Sequence, residues 1–556
     1  MHYIIKLICD YFVYSLILGA IKIMYSKSFM ATILVLMFIG TVSHSNDKVQ
    51  QQLEKLNKVI KTAQDNHLNQ NETSILVDAA IRGILKELDP HSYYFTKDEM
   101  KDVEARRSGN FFGVGITFTI IKDTINILNV MKQGPAFSAG IEVGDKILKI
   151  DGESAIGISM EKVDEKLRGE RNTYVTFDLL KSNGKLQKEI NIVRSRIPVY
   201  SINSSYLIDD TQIGYIKISR FNATTHIELT DSLSILQQMG MTGLIIDLRG
   251  NPGGIVEQVY LVADEFIGEN ENILITKGRD PEYNETYKST DNGEYKDIPL
   301  IILIDGETAS APEILAGAFQ DLDRGLILGQ TSFGKGLVQK PYRLADGSEF
   351  WLTIAKYYTP SGRSIQKDYS NKETYGTLKD RIVLKDGMNL GHTTELSSEY
   401  GFTETTPIFR TKSGRPVLSS GGIVPDYVIN DDSITNLTKS MTTENIFNKY
   451  CLSYYIKNRK NIETLYSENF RYFYESFDVD SLMIYDFIDV SIASGIVWNQ
   501  DEFNRDKSFI ILNIKAALAG IIWDDNKRNE VMMTNSKHIK KAVELMPMAE
   551  RIIRKN

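Results

Sequence analysis

A serine and a lysine in the middle of the chain carry the strongest chemical signal. The segment DGETASAPEILAGAFQD (305–321) places Ser310 just after an apolar run and at the start of a helical one, with Pro312 suited to a first helical turn and Glu313 to its positive end. A serine there is commonly only a helix cap, yet its hydroxyl also stands beside free backbone N–H groups. Lys335, in TSFGKGLVQ (331–339), follows 25 residues later between two glycines, where a lysine is usually a solvated surface charge. To act as a base it must be neutral, and with an ordinary pKa near 10.4 only about one molecule in 2500 is neutral at pH 7. Bringing that value to about 7 takes about 4.6 kcal/mol, within the range that burial supplies. The neighbours Phe333, Leu337 and Val338 are apolar enough to provide it. A lysine so tuned takes the proton of Ser310 during acyl transfer, as histidine does in a Ser/His/Asp triad. The tetrahedral intermediate then needs N–H donors, and the turn GNPGG (250–254) after the run LIIDL offers one. Read alone, GNPGG is a strand-exit turn.

Other chemistries fare worse. GNPGG lacks the lysine of a phosphate-binding loop, and the seven histidines form no HExxH or HxxxH pair. Two cysteines, Cys9 and Cys451, exclude a disulfide scaffold and a Cys-based zinc cluster, so no metal and no organic cofactor is expected. The 72 acidic against 64 basic side chains leave a formal charge of −8, which offers no long-range pull toward nucleic acid.

The elements that must position these residues can be read from periodicity. In 556 residues with 42% apolar content, three or four domains are expected. Residues 47–108 carry helical periodicity up to the breaker LDPHSYYF (88–95) and read as a small helical cap. From Gly109 short alternating strands follow: FGVGITFTI (112–120), INILNVM (125–131), the stretch GPAFSAGIEVGDKILKIDG (134–152), a helix-like MEKVDEKLRG (160–169) and YVTFDLL (174–180). Near Tyr215 the pattern turns to buried strands, IGYIKI (213–218), GLIIDLRG (243–250), PLIILID (299–305) and RGLILGQ (324–330), with helices between them. Such runs predict an α/β layer with a largely parallel sheet and active groups at strand ends. Beyond Asp426 the chain becomes aromatic and polar, with amphipathic helices expected over 508–523 and 537–554.

Two apolar stretches precede Asn46, residues 11–21 and 29–42, both shorter than the roughly 20 residues of a spanning helix. The second has a basic lead at Lys27 and small residues at Ser43 and Ser45, so export with cleavage near Ser45 is expected. The competing reading is an uncleaved membrane anchor. Both place the bulk of the chain outside the cytoplasm.

Together, TASAPEILAGAFQD, GQTSFGKGLVQ, the upstream LRGNPGG and the downstream AKYYTPSGRSIQ (355–366) and GGIVPD (421–426) resemble the carboxy-terminal processing peptidases, or tail-specific proteases, over about residues 70–430. The resemblance implies Ser310 as nucleophile, Lys335 as general base and Gln339 as the residue that orients the lysine. It implies oxyanion donors at Gly253 and Ala311, with Gly254 adjoining, and a structural role for Asp321. Many members have a small residue where this chain has Pro312, which a first helical turn tolerates. The module at 109–194 is similar to the family's PDZ domain. Phe112, Gly113, Val114, Gly115 and Ile116 would then receive a chain-terminal carboxylate, the peptide would add as a strand, and Val163 and Leu167 would wall the groove. In relatives LDPHSYYF is structural, so His91 is expected to pack rather than catalyse.

The expected organisation is a signal peptide or anchor (1–45), a helical N-terminal region (46–108), a PDZ domain (109–194), a crotonase-like α/β serine peptidase core (195–430) and a mainly helical C-terminal extension (431–556). The function implied is an exported, periplasmic serine endopeptidase that recognises protein or peptide C-termini and cleaves through a Ser/Lys dyad and an acyl-enzyme. A catalytically silent PDZ and peptidase-fold scaffold is the alternative; it predicts a missing nucleophile or base, and both are present. An acyl-CoA enzyme of the crotonase type would explain neither the lysine nor the inserted module.

Overall fold

The computed structural model describes residues 48–69, 72–371, 373–377, 384–387, 407–419, 421–533 and 536–554. The apolar stretches before Asn46, and with them the expected export signal or anchor, lie outside the described residues. The chain divides into two compact units, one ending at Leu88 and one running from Asp89. In the first, helices cover 48–66 and Thr73–Leu88.

Within the expected helical region 46–108, one segment is not helical. Residues from Asp89 onward belong to the second unit, and Tyr93–Phe95 is a strand, paired antiparallel with Glu349–Trp351. The aromatic run YYF suits a half-buried strand better than a helix. A capped helix, Lys97–Ser108, follows, with Thr96 and Glu99 forming a reciprocal capping box and Gly109 closing it in the left-handed region.

The module after Gly109 is an antiparallel sheet in the order Ile116–Ile121, Thr124–Val130, Lys146–Ile150, Tyr174–Leu180, Leu186–Val193. Val175, Phe177 and Leu179 alternate onto one face and are fully buried with Ile125, Ile127 and Ile147. The helix Met160–Leu167, capped by Ser159, closes that face. The strand Ile116–Ile121 is an edge of the sheet. Preceding it, Asn110–Gly113 pairs with Ser195–Pro198, a two-stranded ribbon through which the chain enters and leaves the module.

The second layer system holds the chemistry. Strands Ile213–Ile218, Gly243–Asp247, Leu300–Ile304, Leu326–Gly329 and Tyr427–Val428 run parallel, with Ile202–Leu207 antiparallel at one edge. Every residue of Gly243–Asp247 and Leu300–Ile304 is buried, the mark of a sheet covered on both faces. Alternation assigns the faces. Leu244, Ile246, Leu300 and Ile302 pack with the helices Thr225–Gln238, Val256–Asp264 and Ala311–Asp321. Ile245, Ile301 and Leu303 pack instead on Ile539, Ala542, Met546 and Ala549 of the last helix, Lys537–Ile553. A second antiparallel sheet contains Tyr93–Phe95, Glu349–Tyr358, Asn272–Gly278 and Thr286–Lys288, with Leu337–Arg343 also paired to Glu349–Tyr358.

Residues after Thr435 are helical: Asn436–Thr443, Ile446–Tyr466, Phe470–Ser476, Ser481–Ala493, Gln500–Ile522 and Asp525–Met533 precede the last helix. Aromatic pairs such as Phe447 with Phe487 and Phe473 with Trp523 fill their own core.

Candidate active site

Ser310 is the last residue before the helix Ala311–Asp321, directly after the strand Leu300–Ile304 and its DGETA turn. It has φ 67°, ψ −116°, a left-handed region that a serine adopts only under constraint. The constraint is visible. The Ser310 N–H donates to Glu313 Oε2 at 2.7 Å, and Pro312 supplies a first-turn residue that needs no acceptor. The helix behind is buried at all eleven positions, so Ser310 is carried on a rigid element.

Lys335 lies in the loop between the strands Leu326–Gly329 and Leu337–Arg343, and Glu313 reaches that loop as well. Its Oε2 accepts the Lys335 N–H at 2.8 Å, and its Oε1 accepts the Gly334 N–H at 2.7 Å and the Ser332 hydroxyl at 2.5 Å. A fully buried carboxylate with four donors therefore ties the serine turn to the lysine loop. Burial pushes Glu313 up to about 7, opposed by these hydrogen bonds. The Tyr357 hydroxyl makes a second tie, donating to the carbonyls of Ser310 at 3.1 Å and of Lys335.

Burial holds the Lys335 amine below the usual lysine range, against the opposite pull of Glu313 and Asp89. Asp89 belongs to the DPHS turn, where it accepts from the His91 and Ser92 N–H groups, the Ser92 hydroxyl and the Thr353 hydroxyl. His91 packs as expected: it is buried, its Nε2 lies 2.6 Å from the Tyr375 hydroxyl, and burial together with the Lys335 charge lowers it to about 4. It is neutral at physiological pH.

Two of the expected site residues have other hydrogen-bond partners. Gln339 Nε2 donates to Thr353 Oγ1 at 3.3 Å, and among the described residues its side chain makes no hydrogen bond to Lys335. The strand register sets Gln339 directly opposite Thr353, just after an irregularity between Val338 and Gln339. The Gly253 N–H is also engaged, donating to Asn251 Oδ1 at 2.9 Å. Asn251 is buried and further tied to Ile218 and Ala309, so it fixes the GNPGG turn from within. Gly254 and Ala311, by contrast, have N–H groups with no acceptor among the described residues. The turn still abuts the serine: a Cβ on Gly253 would meet Ser310 Cβ and Ala309 O at 3.1 Å. Ser310 and Lys335 are thus held in one place by their backbones, and their side chains make no hydrogen bond to each other among the described residues.

Beneath the GNPGG turn sits a charged pair that sequence reasoning passed over. Asp247 ends the central strand and takes two bonds from the Arg249 guanidinium, at 2.9 and 2.6 Å, and one from the Tyr215 hydroxyl. Burial pushes its carboxyl up, but Arg249 and Lys217 outweigh this and hold it well below the usual range. Asp321 is structural as expected, paired with the wholly buried Arg363 at 2.8 Å.

In the preceding module, Gly113, Val114 and Gly115 are buried and Phe112 and Ile116 half-buried at the entry to the edge strand. The N–H groups of Val114 and Gly115 have no acceptor among the described residues. Val163 and Leu167 are 0% and 5% exposed and belong to the module's core, so they support the strand–helix groove from beneath and do not form its open wall.

Comparison with known proteins bears on all three regions. Peptidase family S41 matches residues 212–374, a PDZ domain matches 127–181, and a family of unknown function matches 437–524. The carboxy-terminal processing protease CtpA of Bacillus subtilis is 33% identical over 335 residues, covering 60% of this chain and 70% of that protein. The carboxy-terminal-processing protease of Bartonella bacilliformis is 32% identical over 342 residues, covering 61% and 78%. Among solved structures, a photosystem II D1 C-terminal processing protease shares 26% identity over 56% of this chain and 89% of its own, with a TM-score of 0.32. With Ser310 and Lys335 set together in the matched region and a PDZ domain ahead of them, the chain belongs to the carboxy-terminal processing peptidases, serine-type enzymes of Peptidase family S41.

Proposed function

We propose that the protein cleaves polypeptides with Ser310 as nucleophile and Lys335 as general base, after capturing the substrate's free C-terminus on the PDZ domain. The observation that carries this reading is the shared carboxylate of Glu313, which places the serine turn and a buried lysine of lowered basicity side by side. Neutral Lys335 accepts the Ser310 proton as Oγ attacks the scissile carbonyl. The oxyanion is met by N–H groups at the helix start, Ala311 first, with Gly254 and, once Asn251 releases it, Gly253. Lys335 then returns the proton to the leaving amine, and water deacylates the serine by the same route. Parallel strands that deliver the turns at 250–254 and 305–310 from their C-terminal ends support a crotonase-like core.

Capture is supported by the unpaired edge of Ile116–Ile121 and by the Val114 and Gly115 N–H groups beside it. Export to the periplasm, by cleaved signal or anchor, rests on the basic and apolar pattern before Asn46. The test is cleavage of a denatured protein with an apolar C-terminus by the native enzyme, Ser310→Ala and Lys335→Ala. Loss of activity in both variants is expected, and equal activity in all three would sink the dyad. An amidated copy of the substrate tests capture, which fails if amide and free acid are cut at equal rates.

A further inference from the structure

The helical region after Thr435 touches both the PDZ domain and the peptidase core. On the PDZ side it covers the face of the sheet opposite the peptide groove. Leu128 of the strand Thr124–Val130 is buried in the core of the helical region, and Ile121 and Val143 pack against the same cluster. Polar contacts frame this seam. Asn445 Nδ2 donates to Thr119 Oγ1 at 3.1 Å, Asn129 Nδ2 to the Gly520 carbonyl at 3.0 Å, and Arg459 pairs with Glu142 at 2.9 Å. The PDZ turn at Gly144 lies so close to the helix Ile446–Tyr466 that a Cβ there would meet Ile456 Cγ1 at 2.8 Å.

On the core side the attachment is broader. The last helix covers one face of the parallel sheet, Asn526 and Asn529 bond the edge strand Ile202–Leu207, and Met533 Sδ lies 3.4 Å from the Arg249 guanidinium under the GNPGG turn. The PDZ domain otherwise meets the core at its other end, through the ribbon Asn110–Gly113 with Ser195–Pro198 and the Arg168–Asp102 ion pair. A module held at one end by a two-stranded ribbon can rock about it. A second attachment at the far side removes that freedom.

We propose that the C-terminal helical region is a brace that fixes the PDZ domain against the peptidase core, so that a captured C-terminus is presented to Ser310 in one geometry. The brace itself stands on the contacts above; its effect on cleavage rests on the capture reading. The pair Ile456→Glu with Arg459→Glu opens the seam, placing charge against Val143 and Gly144 and repelling Glu142. Glu142→Arg added to that pair restores an ion pair. Spin labels at exposed Lys188→Cys in the PDZ domain and Gln238→Cys in the core, in the full chain carrying Cys9→Ser, report their separation; buried Cys451 does not compete for label.

A narrow distance distribution is expected in the native chain, a broad one in Ile456→Glu/Arg459→Glu, and partial narrowing in the triple variant. Cleavage of a free-acid substrate is expected to fall about 5- to 10-fold in the opened variant, with the amidated substrate unaffected. A broad distribution in the native chain, or a narrow one in a folded opened variant, overturns the brace. Where that variant melts at a much lower temperature, Asn129→Ala with Asn445→Ala takes its place and the same two results decide. If the native enzyme cuts acid and amide equally, capture fails and the distances alone judge the brace.

Discussion

The backbone N–H groups of Ser310 and Lys335, 25 residues apart in sequence, donate to the same oxygen, Oε2 of Glu313, at 2.7 and 2.8 Å. The Ser310 turn and the Lys335 loop are therefore positioned by a third side chain, Glu313, and on the proposed mechanism that side chain need not touch substrate. Replacing it separates position from chemistry. In Glu313→Ala four donors lose their acceptor, each worth about 1–3 kcal/mol when left buried and unpaired, so thermal unfolding should shift down by many degrees. In Glu313→Gln the volume is kept but one oxygen becomes a donor facing donors. Cleavage is expected to fall about 100-fold, measured as single-turnover acylation, with the fold retained.

The rate should rise with pH. Neutral Lys335 and ionised Glu313 are both deprotonated forms, and burial places the first below the ordinary lysine range and the second up to about 7. A rate flat from pH 5 to 9 would contradict a neutral-lysine base. Lys335→Arg keeps the charge but cannot deprotonate, and should be inactive at every pH.

Stability should respond to Glu313 and His91 in opposite senses. Glu313 has a folded pKa raised from 4.5 to about 7, so its contribution is full below 4.5 and lost as pH rises through 7. His91 has a folded pKa lowered from 6.5 to about 4, so its contribution is full above 6.5 and lost as pH falls toward 4. Each amounts to about 3 kcal/mol over nearly the same window, and together they cancel. Denaturant unfolding from pH 4.5 to 6.5 should show little contribution from the pair in the native chain. Glu313→Gln should add a rise with pH, and His91→Phe a fall.

Tyr357→Phe removes the hydroxyl shared by the Ser310 and Lys335 carbonyls. The ring stays buried, so the expected cost is about 1–2 kcal/mol of stability. On the proposed mechanism Tyr357 positions Ser310 and Lys335, so cleavage should drop about 10-fold through kcat with KM nearly unchanged. Equal losses in KM would point to a groove contact instead.

Gly253→Ala tests the turn. The added methyl meets Ser310 Cβ and Ala309 O at 3.1 Å, and the backbone there has φ 120°, which alanine resists. A destabilisation of about 1–3 kcal/mol and a loss of cleavage of about 100-fold are expected from denaturation curves and single-turnover rates.

Much of this arrangement was legible in the sequence because it rests on local patterns. LIIDL and LIILI read as buried strands since both faces of the sheet are covered, and Ser310 read as a helix start from the proline and glutamate after it. Long-range pairings were not legible. Glu313 scans as an ordinary first-turn acid, yet it binds residues 19 to 22 positions later. The resemblance sets Gln339 beside the lysine, whereas the long-range strand register places it opposite Thr353, to which it donates. Val163 and Leu167 fit a groove wall by helical position, but burial depends on how deeply the helix sits. The YYF strand was hidden in a helical context, since its partner lies more than 250 residues away.

The asparagines of the helix Asp525–Met533 have a further consequence. The strand Ile202–Leu207 is the sheet's long edge, and Asn526 and Asn529 occupy the Ser205 N–H and the Asn203 carbonyl that a foreign strand would seek. At the opposite edge, Tyr427–Val428 is only two residues long and its Val428 carbonyl is taken by the Gly387 N–H. Both borders of the core sheet are thus closed at these groups to an incoming strand, which opposes aggregation by strand addition at either end.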